Sequence, residues 1–256
     1  MTILESIIIG IVEGVTEFLP ISSTGHMILT THLLGMENND FLKSFEISIQ
    51  LGAILSVVVL YFKRFLISLE LYKKLIIAFL PTAIVGFMAY KTIKLYLFNP
   101  YVVAIALIIG GIILIFIDNW SKFKKSIAEN TEEISLKGAF IVGLIQCISM
   151  IPGVSRAGAT IIGGLVAGLD RKQATEFSFF LAVPTMFAAT GYDMLKTSAS
   201  FSSNEWMLLF IGALVSFISA MLIIKLFIYL VPNYGFKHFG YYRIIIGTIF
   251  LIFQPF

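Results

Sequence analysis

Apolar residues along this chain fall into long blocks of two kinds. Six blocks are unbroken: stretches at about 44–62, 75–91, 100–118, 174–194, 206–231 and 241–256 each have the character of a membrane-crossing helix. The other two are interrupted by polar residues. In the first, Gly10, Glu13, Gly14 and Glu17 recur at i, i+3, i+4 and i+7, which predicts a helix over 10–17 with all four on one face. Pro20 ends it, Ser22 to Gly25 has the composition of a loop, and Met27 to Leu34 predicts a second short helix. Neither arm reaches the ~20 apolar residues that a crossing needs, so the pair is expected to enter the membrane and turn back. The second broken block, Gln146 to Leu169, is interrupted between Ile151 and Thr160 and predicts a second such hairpin.

The blocks come in the same order in each half of the chain. At a shift of 133 residues Gly10 aligns with Gly143, Glu13 with Gln146, Ser22 with Ser155, Gly25 with Gly158 and Gly35 with Gly168. At 130, Glu46 meets Glu176, Ser48 meets Ser178, Leu51 meets Leu181 and Phe87 meets Phe217; at 137, Gly110 and Phe116 answer Gly247 and Phe253. A hairpin returns to its own side and three crossings do not, so the second half starts from the opposite face. The expected architecture is an all-α polytopic membrane protein with two inverted-topology repeats, each a re-entrant helical hairpin plus three transmembrane helices. The repeats cover about 1–118 and 138–256 of a single membrane domain over 1–256, and the two broken loops enter from opposite sides. Between the repeats, the polar stretch 119–137 is read as a solvated cytoplasmic linker.

Composition agrees with this class: of 256 residues 58% are hydrophobic and 13% charged, and the mean hydropathy of +0.95 excludes an ordinary soluble domain. The net charge of +3 matters less than where the charges lie. One face receives thirteen basic residues (Lys63, Arg64, Lys73, Lys74, Lys122, Lys124, Lys125, Lys137, Arg171, Lys172, Lys225, Lys237 and Arg243), and the other receives Lys43, Lys91, Lys94 and Lys196. The positive-inside rule then puts both termini, and the mouth of the first hairpin, outside. The start of the chain lacks the basic region of a cleavable signal. Cys147, the one cysteine, excludes an intrachain disulfide. No Cys or His cluster suggests a metal centre, and His32 and His238 look incidental.

Chemistry concentrates in the first hairpin. Glu13 and Glu17 lie one helical turn apart, and two acids so close disfavour double ionisation unless a cation sits between them. They read as a proton-handling pair, as part of a metal site, or as structural acids bonded across helices. Ser22, Ser23, Thr24 and Gly25 open the second arm, where hydroxyls and free backbone N–H groups suit an oxyanion, phosphate above all. The bland reading of such residues at a helix break is capping alone. The second loop repeats the device with Ser155 and Gly158 and adds Arg156, a planar donor matched to phosphate oxygens and the one basic residue placed within the membrane. With His26, these groups suit phosphoryl transfer. Glu46, Gln50 and Glu176 stand early in their spans, where acids cap or snorkel.

The segments from Glu13 to His26 (Glu-Gly-Val-Thr-Glu-Phe-Leu-Pro-Ile-Ser-Ser-Thr-Gly-His) and from Pro152 to Gly158 (Pro-Gly-Val-Ser-Arg-Ala-Gly) resemble the two signature motifs of the undecaprenyl-pyrophosphate phosphatase family, the bacitracin-resistance type. Ile49 to Ile54 and Phe177 to Pro184 fit the same pattern, so the resemblance spans essentially the whole chain. It implies an integral membrane hydrolase that removes the terminal phosphate of undecaprenyl pyrophosphate, regenerating the carrier lipid for peptidoglycan assembly. It also implies catalytic positions at Glu13, Glu17, Ser23, His26 and Arg156, with Thr24 and Ser155 assisting, a divalent cation, and a site open to the outer face. On this reading Ser22, Thr24, Gly25, Ser155, Arg156 and Gly158 bind phosphate, and Ser23 is the nucleophile with His26 or a glutamate taking its proton. Direct attack by water, with Glu17 as base, stays open. Mg2+ or Ca2+ on Glu13 and Glu17 would offset developing charge, with no organic cofactor. The partners expected are the polyprenyl pyrophosphate, membrane lipid and, at most, a second copy of the chain in a homodimer, with no nucleic acid. The rival from another class is a transporter or lipid flippase, which broken helices in inverted repeats also suit.

Overall fold

A computed structural model describes every residue except 38, 97–99, 122–127, 129, 198–200 and 254–256, and gives backbone alone for 67, 90–96, 192–197 and 253. Its regular structure is entirely helical among the described residues: α1 (Ile3–Thr16), α2 (Ser23–Leu33), α3 (Asp40–Leu60), α4 (Phe62–Ile67), α5 (Leu69–Tyr96), α6 (Pro100–Ser121), α7 (Leu136–Gln146), α8 (Arg156–Val166), α9 (Arg171–Thr197), α10 (Ser203–Tyr234) and α11 (Lys237–Phe253), with 3-10 turns at Thr131–Glu133 and Cys147–Met150. Four of these, α3, α5 (through Ala89), α6 and α10, are long and apolar enough to cross a membrane. This is a polytopic membrane protein. Exposed Leu80, Ile84 and Phe87 on α5, Ile105, Ile109 and Phe116 on α6, and Phe210, Leu214 and Ile218 on α10 are the apolar surface that lipid covers.

The other two expected spans are α9 and α11. In α9 the residues from Gln173 to Ala182 are all buried, Thr175, Glu176 and Ser178 among them. This stretch faces protein rather than lipid, which is why its sequence can carry polar groups. α3 ends at Tyr61 and is followed by a short α4, which the hydrophobic pattern did not announce.

Both broken blocks fold as helical pairs, α1–α2 and α7–α8, but each break differs from the expectation. Ser22 to Gly25 is not a loop: α2 starts at Ser23, so Ser23, Thr24 and Gly25 form its first turn. The first arm of the second pair lies before Gln146, over Leu136–Gln146, with a 3-10 extension to Met150. The caps explain both starts. Ser22 (φ 70°) and Ser155 (φ 75°) take up left-handed backbone, and each Oγ accepts a hydrogen bond from the glycine N–H three residues on, Gly25 at 3.4 Å and Gly158 at 3.1 Å. Both 11-residue helices then end the same way. Gly35 and Gly168, at positive φ, donate to the carbonyls of His32 and Leu165, while Met36 and Leu169 reach back to Thr31 and Gly164.

Helix packing crosses between the halves. α1 packs on α10, α7 on α5, α3 on α9 and α6 on α11. Small residues allow the close approach: a Cβ on Gly10 would lie 2.7 Å from the Gly212 carbonyl oxygen, and one on Gly14 would collide with that of Ser216. Gly143 meets the Ala78 carbonyl of α5 in the same fashion. The linker is less solvated than expected, since Thr131 and Ile134 are buried. Thr131 donates to Glu176 at 2.8 Å, and Arg64 pairs with the same carboxylate at 2.6 Å. Glu176 is therefore a structural acid. Lys122, Lys124 and Lys125 lie outside the described residues.

Candidate active site

The turn after α1 carries the chain from Glu17, still helical at its end, through Phe18–Ile21 to the left-handed Ser22. That tight reversal brings Ser23 back over Glu17, and Ser23 Oγ donates to Glu17 Oε2 at 2.6 Å. The other carboxylate oxygen accepts from Arg156 Nη2 at 2.8 Å, so one acid from the first hairpin joins the serine beside it to the arginine of the second. The Arg156 side chain is 11% exposed and that of Glu17 5%, so this is an interior ion pair. Burying such a pair is costly unless most of the remaining donors are engaged. Arg156 Nη1 donates to the Ser178 carbonyl at 3.0 Å, Nη2 also touches Met186 Sδ at 3.4 Å, and the guanidinium carbon lies 5.6 Å from the Phe18 ring centre. Nε has no partner among the described residues.

His26 is near this chain of contacts but not in it. Its Nδ1 lies 2.8 Å from the Ser22 carbonyl, which can only accept, so Nδ1 carries a proton. In the neutral ring Nε2 then accepts from the Tyr242 hydroxyl at 2.7 Å. The two rings lie parallel, 5.5 Å apart. Of the two bases left open for Ser23, the geometry joins the serine to Glu17.

Glu13 is fully buried with its carboxyl against that of Glu17, close enough to share a proton, and no other group among the described residues donates to it. Its charged neighbours are Glu17, Glu46 and Arg156. Glu46, half-buried on α3, is one of the charges felt by Glu13. No group of three or more His, Cys, Asp or Glu that could hold a metal forms among the described residues. The buried Glu13 carboxyl beside a second acid fits either a shared proton or a bound cation. Gln146, the counterpart of Glu13, is buried too, and donates to Thr82 Oγ1 at 2.7 Å.

Arg156 is not alone as a buried cation. Arg243, counted among the cytoplasmic charges, is 1% exposed in α11. All five of its N–H groups end on carbonyl oxygens: Nε on Leu107 (3.3 Å), Nη1 on Pro20 (3.0 Å) and Val154 (2.9 Å), Nη2 on Ala106 (3.1 Å) and Gly153 (2.9 Å). Removing it leaves twelve basic residues against four, so the charge bias keeps its sign. Tyr242 and Arg243 were both missed as site residues. The one available hint was the Gly110–Gly111 pair in α6, a slot in which a Cβ at Gly110 would lie 2.8 Å from Arg243 Cζ.

Thus the structure brings Glu13, Glu17, Ser23 and Arg156 together, and places Ser22, Gly25, Ser155 and Gly158 in two matched caps beside them. Thr24, half-buried, occupies the first turn of α2. Comparison with known proteins gives one consistent result. A family model described as bacitracin resistance protein BacA matches residues 6–249. An undecaprenyl-diphosphatase of Aquifex aeolicus (strain VF5) is 53% identical over 254 residues, covering 99% of both chains. One of Persephonella marina is 55% identical over 253 residues with the same coverage, and one of Bdellovibrio bacteriovorus is 52% identical over 252 residues, 98% of this chain and 96% of the relative. Matched from end to end, with its acids, serine and arginine assembled at one point, this chain belongs to the BacA family.

Proposed function

We propose that this chain is a membrane undecaprenyl-diphosphatase, which hydrolyses undecaprenyl pyrophosphate to undecaprenyl phosphate and inorganic phosphate and so recycles the carrier lipid for peptidoglycan synthesis. The observation that carries the reading is the Ser23–Glu17–Arg156 chain of contacts, in a family whose close relatives bear that activity in their names. Arg156 and the N–H groups opening α2 and α8 hold the pyrophosphate. Ser23 Oγ attacks the terminal phosphorus while its proton passes to Glu17, and the lipid monophosphate leaves. The departing phosphate takes that proton from Glu17; water then cleaves the phosphoserine, its proton passing to Glu17 and on to the Ser23 oxygen as inorganic phosphate leaves. A divalent cation on Glu13, shared with substrate oxygens, would supply charge neutralisation at the phosphate. His26, held by Ser22 and Tyr242, fixes the first turn. A pure transporter has no use for a serine hydroxyl 2.6 Å from a buried carboxylate.

Purified protein in detergent should release inorganic phosphate from undecaprenyl pyrophosphate and lose most of this activity to a chelator. No release under any divalent ion would sink the enzyme reading, whereas release unaffected by chelation would sink the cation alone.

The exchanged packing of α1 on α10 and α7 on α5, with the matched caps at Ser22 and Ser155, supports inverted repeats. The positive-inside bias supports outside termini and a site opening outward. A cysteine at Asn130, in a background with Cys147→Ser, should then stay unlabelled by an impermeant thiol reagent in intact cells. Rapid labelling there would reverse the orientation.

A further inference from the structure

Arg243 has no carboxylate partner among the described residues, yet it is buried with every donor used. Its five contacts fall into two sets. Ala106 and Leu107 belong to α6, where Gly110 leaves room for the guanidinium. Pro20 lies in the turn of the first hairpin, two residues before the Ser22 cap, and Gly153 and Val154 lie in the turn of the second, directly before the Ser155 cap. At the 133-residue shift Pro20 and Gly153 are equivalent positions, so one side chain grips the same point of both turns. The active groups are divided between those turns, Glu17 and Ser23 on one and Arg156 on the other.

We propose that Arg243 is a positioning residue for the phosphatase reaction: by binding Pro20, Gly153 and Val154 together, it sets the spacing between the two turns and hence the register of Ser23 and Glu17 against Arg156. The planar five-donor fork is what the role requires, because an ammonium has three donors and no fixed plane. Small errors of placement between reacting groups are costly, of order 10²-fold in rate for about 1 Å. This inference rests on the site reading above.

Two variants disturb the tie by different routes. Arg243→Lys keeps the charge and loses the fork. Gly110→Ala keeps the arginine and drives a methyl into the guanidinium, while alanine is the better helix former. Both should lower kcat by about 10-fold or more, measured on folded, monodisperse protein well below its melting temperature. A double-mutant cycle in kcat separates positioning from plain structural support. If Arg243 acts through the alignment of Arg156, Arg243→Lys costs much less in an Arg156→Lys background than in the native one. Full losses in both backgrounds, or unchanged kcat in Arg243→Lys and Gly110→Ala, would overturn the proposal. If Arg243→Lys does not fold, Gly110→Ala and its own cycle with Arg156→Lys decide the question in the same way. Ser23→Ala serves as the reference: inactive Ser23→Ala beside fully active tie variants removes this inference alone, whereas an active Ser23→Ala removes the site reading beneath it.

Discussion

Replacing Ser23 by alanine should reduce turnover by about 10³-fold or more, while a non-hydrolysable polyprenyl pyrophosphate analogue still binds with an affinity within about twofold of the original. Alanine suits the first position of α2, and the Ser22 cap remains, so the fold has no reason to change. What disappears is the hydroxyl 2.6 Å from Glu17. The contrast is Arg156→Lys, which keeps a positive charge but cannot reach the Glu17 carboxylate and the Ser178 carbonyl from one rigid plane. Binding of the analogue and turnover should both fall there, by about 10²-fold. Loss of binding in Ser23→Ala with normal binding in Arg156→Lys would invert the division of labour between the hairpins.

The second large effect is expected at Glu17. Its two oxygens accept from Ser23 and from Arg156, so in a Glu17→Gln variant the amide oxygen stays on Arg156 and the NH2 donates to Ser23 Oγ, reversing that hydrogen bond. It also cannot take the serine proton. Glu17→Gln should therefore lower kcat by about 10³-fold. KM should stay level or fall, because Arg156 loses an internal anion that competes with substrate. A raised KM with kcat intact, in steady-state phosphate release, would show that Glu17 binds substrate and is not the base.

How far the sequence foretold this site depended on whether a residue's neighbours in the chain are its neighbours in space. Glu13, Glu17, Ser22 and Ser23 lie within one short stretch of chain, and their spacing already held most of their geometry. Arg156 could be found because an arginine between small residues in a broken apolar block has no interface to reach. Arg243 could not, since it stands six residues after Lys237 near the start of a helix, where a basic residue ordinarily faces headgroups. Its burial depends on carbonyls from α6 and from both turns, which no local pattern encodes. The loop expected at Ser22 to Gly25 failed for a related reason: serine, threonine and glycine are weak helix formers, and tertiary packing of His26 and Met27 decided the matter. In α9 the burial of Thr175, Glu176 and Ser178 blurred a membrane signal that α6 and α10 display plainly.

The glycine contacts between α1 and α10 bear on how the protein is made. α1 has 14 residues, about 21 Å of helix at 1.5 Å per residue, against a hydrocarbon core of ~30 Å. Its buried face, with Gly10, Glu13 and Gly14, is shaped for a helix that begins at Ser203. When the ribosome has finished the first hairpin at Leu33, 169 residues of chain (202 − 33) still separate it from the start of that partner at Ser203. Until α10 is inserted, Glu13 has α2 and α3 beside it but lacks the largest partner of its helix. The first segment synthesised thus waits for one of the last before its glycine face is covered.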